Sequence, residues 1–310
     1  MFHYLKKYLI VLAVLTLSLV GCSSTEKTNN SSDKLIVTTT IGMIADVVKK
    51  VGGEHVEVTG LMKSGVDPHL YKASQGDIKK LEDADLIFYN GLHLEGKMVD
   101  IFEKMSKEKP TVAVTKDIPE SELRAPDDGA YSHDPHVWFN VQLWITATKT
   151  IADELSKIDP DNEADYSKNA EEYIQQLEEL DQYAKEQIAT IPEQTRVLVT
   201  AHDAFGYFGE AYDIKVMGLQ GMSTASEYGS KDVSSLRDYL VENKIKAVFV
   251  ESSVPKKAIE AVIEGAKEQG HEVVIGGELF SDAMGEAGTE EGTYLGMVRH
   301  NVDTIVNALK

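Results

Sequence analysis

Asp161 to Ile191 reads DNEADYSKNAEEYIQQLEELDQYAKEQIATI, a run without a glycine or a proline. Tyr166, Ala170, Tyr173, Leu177, Leu180, Ala184 and Ile188 recur in it at three- and four-residue steps, with Glu, Gln and Lys filling the gaps. That period describes one amphipathic helix, and Pro160 and Pro192 bound it. At 1.5 Å per residue it would reach on the order of 40–45 Å, more than one domain usually needs. It is expected to be a rigid strut joining two lobes. The competing reading is a coiled-coil arm, because the apolar stripe lasts about four heptads.

On either side of this helix, short β-branched runs alternate with helical patterns. Before it, strands are expected at Leu35–Thr40, His55–Met62, Asp85–Tyr89 and Thr111–Thr115. Helices lie between them at Ile44–Val51 and Gln75–Glu82, the latter capped by Ser74 with Asp77 three residues on. Asn140 is expected to cap a further helix, in which Trp144, Ile151, Leu155 and Ile158 keep helical spacing. Beyond the long helix, strands are expected at Arg196–Ala201, Ile214–Leu219, Ala247–Glu251 and Glu272–Ile275. Helices follow at Asp232–Asn243, Lys256–Gln269 and Gly292–Leu309. Strands alternating with helices imply an α/β fold with a parallel sheet, flanked by helices, in each lobe. The resulting division is an N-terminal lobe over 34–160, the linking helix over 161–191 and a C-terminal lobe over 192–310.

The amino end has a different character. Lys6 and Lys7 precede an apolar run, Leu9 to Val20, too short to cross a bilayer core, which takes ~20 residues. With the small residues that follow, this describes an export signal over 1–21. Leu19-Val20-Gly21-Cys22 resembles the lipobox of bacterial lipoproteins, in which the Cys becomes the lipidated first residue. Cys22 is the only cysteine in the chain, so no intramolecular disulfide can form. Residues 22–33 carry no aliphatic or aromatic side chain and are expected to be a flexible tether. Removing residues 1–21, which hold two lysines and no acids, leaves 289 residues and moves the formal net charge from −20 to −22. Such acidity argues against nucleic acid as a partner. Its attraction for cations is weak and unspecific.

Chemistry concentrates in a few of the nine histidines. Two stand in near-identical phrases, Asp67-Pro68-His69-Leu70-Tyr71 and Asp134-Pro135-His136-Val137-Trp138. Proline stiffens each turn and drives the preceding Asp toward extended backbone. Each Asp is a candidate to orient a ring nitrogen of the His two residues on. His202 follows the strand Arg196–Ala201, and Asp282 comes shortly after Val273–Ile275. Open α/β sheets bind ligands at the carboxyl ends of their strands. Three imidazoles and one carboxylate facing one cleft suit a first-row transition ion better than calcium or magnesium. Each His alone reads equally well as a hydrogen-bonded loop or core residue; the joint placement favours ligands. His133 is expected on the loop surface, and His55, His93, His271 and His300 in structural roles, while His3 leaves with the signal. Glu251 is either an acceptor for a ligating His or a strand-end cap.

The phrases GVDPHLYKASQGD, DPHVWF, VTAHDAFGYF, VFVESSVP, GGELFSDAMG and GTYLGMVRHN resemble those of the manganese/zinc receptor lipoproteins, the TroA-like branch of ABC importer binding proteins. The likeness covers residues 34–310. It implies two α/β lobes bridged by a long helix, with metal held by His69, His136, His202 and Asp282, two residues from each lobe. It also implies Mn2+ or Zn2+ as transported ligand with no catalytic cofactor, and an ABC permease with its ATPase as partners. The protein would be a monomer, held by a lipid at Cys22 on the extracytoplasmic face of the cell membrane.

Zinc outranks manganese at any fixed set of N and O ligands. Two features nevertheless lean toward manganese. Asp282 can bind through both oxygens, and Asp117 to Ser132, where zinc-dedicated relatives carry a His-rich loop, is short and has no His. A zinc-specific receptor is the alternative. A zinc hydrolase is disfavoured because four protein ligands would close the sphere, and because the chain has no His-Glu-x-x-His, phosphate loop or nucleophile elbow. A surface adhesin has no repeat or low-complexity tract to support it.

Overall fold

The computed structural model describes residues 34–126 and 132–310, and Lys34–Lys310 forms one compact unit. The expected signal, Cys22 and the tether lie outside the described residues, as does part of the loop before His133. Among the described residues, no helix is long and apolar enough to cross a membrane.

The first half is built on four parallel strands, β1 (Leu35–Thr39), β2 (Val56–Gly60), β3 (Leu86–Tyr89) and β4 (Thr111–Ala113), in the order β2-β1-β3-β4. The helices between them are α1 (Gly42–Gly52), α2 (Gln75–Asp83) and α3 (Val99–Met105). Helix α1 ends where Gly53 takes a left-handed φ of 54°, costless only for glycine, and returns its N–H to Lys49. Helix α2 starts on the expected capping box, with Ser74 accepting from Asp77 N and Asp77 accepting in return from Ser74 N. Helix α4 (Val141–Ile158) begins at Asn140, whose side chain accepts from Gln142 N.

The long helix, α5, runs from Glu163 to Ile188 after a 3₁₀ turn at Pro160–Asn162. Its 26 residues span roughly 39 Å. All seven residues of the apolar stripe are buried inside the chain's own core, against α4, α1 and the last helix, α9 (Tyr294–Leu309). A stripe covered from within leaves no seam for a coiled-coil partner, so the strut reading holds.

The second half contains β5 (Val197–His202), α6 (Gly206–Tyr212), β6 (Lys215–Gln220), α7 (Ser230–Glu242), β7 (Ala247–Glu251), α8 (Lys257–Glu268) and β8 (Val274–Leu279). Its strands are parallel but form two pairs, β5-β6 and β7-β8, where one sheet was expected. Strands β5 and β7 lie side by side. At their carboxyl ends the N–H of His202 goes to the Glu251 carboxylate.

Strand β8 also departs from expectation, starting at Val274 and running through Gly276-Gly277, which reads as a strand end. Added Cβ atoms on these glycines would sit 2.8 Å from Ala308 Cβ and 2.3 Å from Thr304 Cγ2, both on α9. The pair therefore lets α9 lie close on the strand. One hydrophobic cluster joins Val37, Ile44, Trp144, Leu177, Phe205, Tyr294 and Ile305, crossing from one half to the other through α5.

Candidate metal centre

Each half delivers two of the four expected residues to one point. His69 sits in the loop after β2, where Asp67 Oδ1 accepts its backbone N–H at 2.8 Å. His136 precedes a 3₁₀ turn, Val137–Phe139, and Asp134 Oδ1 accepts both its backbone N–H, at 3.0 Å, and its ring Nδ1, at 2.7 Å. Asn90 at the end of β3 donates to the Pro135 carbonyl and fixes the turn from behind. His202 is the last residue of β5, and Glu251 ends β7 beside it. One Glu251 oxygen accepts the His202 N–H at 2.9 Å and the other meets ring Nδ1 at 2.5 Å. Asp282 follows β8 in a loop held on both sides. Asn301 of α9 exchanges two hydrogen bonds with the backbone of Phe280, and Trp138 Nε1 donates to the Ser281 carbonyl.

The four candidate ligand atoms all lie within 4.8 Å of one another, and all four residues are buried. His69 Nε2 stands 3.3 Å from His136 Nε2 and 3.6 Å from Asp282 Oδ2. Asp282 Oδ1 is 3.3 Å from His136 Nε2, and Oδ2 is 3.3 Å from His202 Nε2. These four separations match the ~3.3–3.6 Å edges of a tetrahedron with bonds of ~2.0–2.2 Å, the size expected around a first-row ion. His202 Nε2 and both Asp282 oxygens are buried without a hydrogen-bond partner, although they lie at ion-pair distance. Buried polar atoms of this kind are costly alone. Their convergence is what a cation satisfies, and these four residues are the one such group among the described residues.

The electrostatics agree with this. Burial drives the His69 imidazole down to about 3, so it is neutral and a lone-pair donor. Burial acts the same way on His136 and His202. There the adjoining carboxylates outweigh it, Asp134 with Asp282 lifting His136 to about 9, and Glu251 with Asp282 lifting His202 well above its usual value. Asp282 is held far below the usual carboxylate range because His202 and His136 outweigh its burial. Asp134, Glu251 and Asp282 thus bias an enclosed volume toward positive charge.

Four other histidines have partners away from the cluster. His55 meets Asp165 at 2.9 Å at the start of α5, His133 meets Glu120 at 2.9 Å, and His271 and His300 bond to the carbonyls of Ile245 and Glu278. The two Asp-Pro-His phrases differ in a way their sequences hide. Asp134 orients a ring, whereas Asp67 is hydrogen-bonded to backbone and to the Thr224 hydroxyl, at 2.5 Å, but not to the His69 ring. Sequence reasoning passed over Arg124, Tyr207 and Thr224, since each acts on a residue far away in the chain.

The chain matches, over residues 37–308, the family model described as zinc-uptake complex component A periplasmic. It is 55% identical to the manganese-binding lipoprotein MntA of Bacillus subtilis over 295 residues, 95% of this chain and 96% of that protein. It is 50% identical to the zinc-binding protein TroA of Treponema pallidum over 276 residues, 89% of each. The solved structure of the periplasmic zinc binding protein TroA from Treponema pallidum is similar with a TM-score of 0.87, covering 89% of this chain and 99% of that one.

Proposed function

The chain belongs to the zinc-uptake complex component A family, and from that premise we propose that it is the extracytoplasmic receptor lipoprotein of an ABC importer, capturing Mn2+ and also Zn2+ for uptake. His69, His136, His202 and Asp282 hold the ion. The observation that carries this is the closure of three ring nitrogens and a carboxylate around one ion-sized gap, with none of the four residues appreciably exposed. It is a binding site and not a reaction centre, because four protein ligands leave no open position for a substrate water.

Two observations pull the choice of ion in opposite directions. Separations of 3.3–3.6 Å among His69, His136 and Asp282, and between His202 and Asp282, suit a tetrahedral zinc. Both Asp282 oxygens face the imidazoles without other partners, which supports binding through both and the higher coordination that manganese takes. Manganese is the reading adopted, and a zinc-specific receptor is the alternative.

The ion joins the two lobes, 34–160 and 192–310, across the linking helix 161–191. A core that crosses between them through α5 opposes wide hinge opening, so release involves a small displacement. Small-angle scattering with and without metal should show little change in radius, and a large compaction would count against the idea. A lipid on Cys22 holds the protein, as a monomer, at the outer face of the cell membrane. There it hands the ion to a permease coupled to an ATPase.

The direct test is elemental analysis after exposure to equimolar Mn2+ and Zn2+, repeated on His69→Ala and Asp282→Ala. One ion per chain in the parent and a loss in both variants is expected. Stoichiometric metal retained by both variants would overturn the assignment, and rescue of a deletion strain by one ion identifies the cargo.

A further inference from the structure

We propose that Arg124 is a positioning residue that ties the orientation of the His136 ring to the placement of helix α6 in the opposite half of the chain. The inference rests on the reading of His136 as a metal ligand. Arg124 lies after the 3₁₀ turn Glu120–Glu122, and its guanidinium serves two carboxylates with different nitrogens. Nη1 donates to Asp134 Oδ2 at 2.6 Å, and Nε donates to Glu210 Oε1 on α6 at 2.7 Å. The other Asp134 oxygen is the one that grips His136 at both its backbone N–H and its ring. The path from α6 to the ring is therefore Glu210, Arg124, Asp134, His136, with a charge-assisted hydrogen bond at each step.

The backbone repeats the same connection. Tyr207 of α6 accepts the N–H of Arg124 at 3.0 Å and donates to the carbonyl of Asp134 at 3.1 Å, while Asp134 N–H bonds to the Arg124 carbonyl at 2.8 Å. Gly206, the first residue of α6, is the floor on which the guanidinium rests. A Cβ there would stand 1.6 Å from Arg124 Nη1. His202 is served differently, since its carboxylate, Glu251, lies on the adjoining strand of the same half. So both imidazoles are clamped by a carboxylate of their own half, but only the clamp on His136 is braced from the opposite half.

As a stabilising device the outer link is weak. Glu210 is mostly exposed, and such surface pairs contribute ~0–1 kcal/mol. Its effect is geometric, because it fixes the plane of the guanidinium and hence the angle at which Asp134 is held. Lysine has a single ammonium on a flexible stem and cannot reproduce a fork aimed at two carboxylates.

The test uses Co2+ as a spectroscopic probe, together with Mn2+ and Zn2+ titrations, on the full-length protein and on Arg124→Gln, Arg124→Lys, Glu210→Gln and Gly206→Ala. The parent serves as control. Failure of the parent to bind metal would refute the proposed function, whereas the present inference is judged on the variants alone. Arg124→Gln is expected to lower affinity roughly tenfold, the low end for losing a partner that orients a ligating His. The cobalt absorption band should shift, and Arg124→Lys should not restore it. Gly206→Ala should give the same altered band, although it removes no charge. Glu210→Gln should weaken binding about threefold, and not additively with Arg124→Gln, since the two act through one path. A parental cobalt spectrum and affinity in Glu210→Gln and Gly206→Ala, with Arg124→Gln altering only the melting temperature, would overturn the proposal.

Discussion

Asp67-Pro68-His69 and Asp134-Pro135-His136 are the same three residues, and each supplies one imidazole to the same cluster. Around them the structure builds two different supports. Asp134 is fully buried, clamps the His136 ring and is itself gripped by Arg124. Asp67 is only partly buried, closes the turn on the backbone N–H of His69, and sends its second oxygen to Thr224 in the other half of the chain. In one phrase the carboxylate sets the tautomer and tilt of a ring; in the other it sets where the loop lies. Repetition of a motif thus conserves the backbone turn but not the task of its acid, because that task depends on which side chains the fold brings up to the acid's free oxygen.

The contrast is open to measurement. Asp134→Ala should be the most damaging change, leaving the His136 ring unoriented and Arg124 without its buried partner. Metal affinity should fall ~10–100-fold, and the metal-free protein should lose on the order of 3 kcal/mol, read by titration calorimetry and denaturant unfolding. Asp67→Ala should weaken binding by less than about tenfold, since no ring is released. Stopped-flow dissociation should show a faster off-rate with the cobalt spectrum unchanged. Equal spectral changes in the two variants would erase the distinction drawn here.

Smaller effects sharpen it further. Asp77 caps α2 just after the first phrase and takes the Tyr71 hydroxyl at 2.8 Å, so it ties that phrase to a regular helix. Burial alone would raise its carboxyl. Hydrogen bonds from Ser74, Tyr71 and Lys80 outweigh this and hold it far below the usual range. A depressed folded-state value means that the contribution is complete above the unfolded value of ~3.9 and is lost as pH falls below it. Asp77→Asn should therefore cost ~1 kcal/mol at pH 6, and the gap in melting temperature from the parent should narrow below about pH 4. A gap that widens in acid would show the sign to be wrong. Thr224→Val should have the smallest effect, ~0.5–1 kcal/mol of stability for one hydrogen bond. Any loss of metal affinity should be confined to the off-rate.

Much of this was legible in the chain. The seven-residue stripe of α5, the Ser74 and Asn140 caps and the β-branched strands all follow from local rules of period and turn chemistry, and each is found close to where those rules put it. The four residues of the candidate centre were legible too, because two stand in a repeated phrase and two follow strands. What misled was equally local. Gly276-Gly277 reads as an end to β8, yet those glycines exist to admit α9. One sheet was expected in the second half, yet its strands pair as β5-β6 and β7-β8, with β5 and β7 adjacent.

By itself the order of residues determined the alternation of strands and helices, the strut, and the candidate residues of the centre, since these depend on neighbours within a few positions. The packed chain alone decided that Asp67 reaches Thr224, that Glu251 reaches His202 and that Arg124 reaches Glu210. Those pairings join residues up to 157 positions apart, and hydrogen bonds form only between atoms within about 3 Å. Such proximity is a property of how the two halves seat on α5, and no spacing along the chain encodes it.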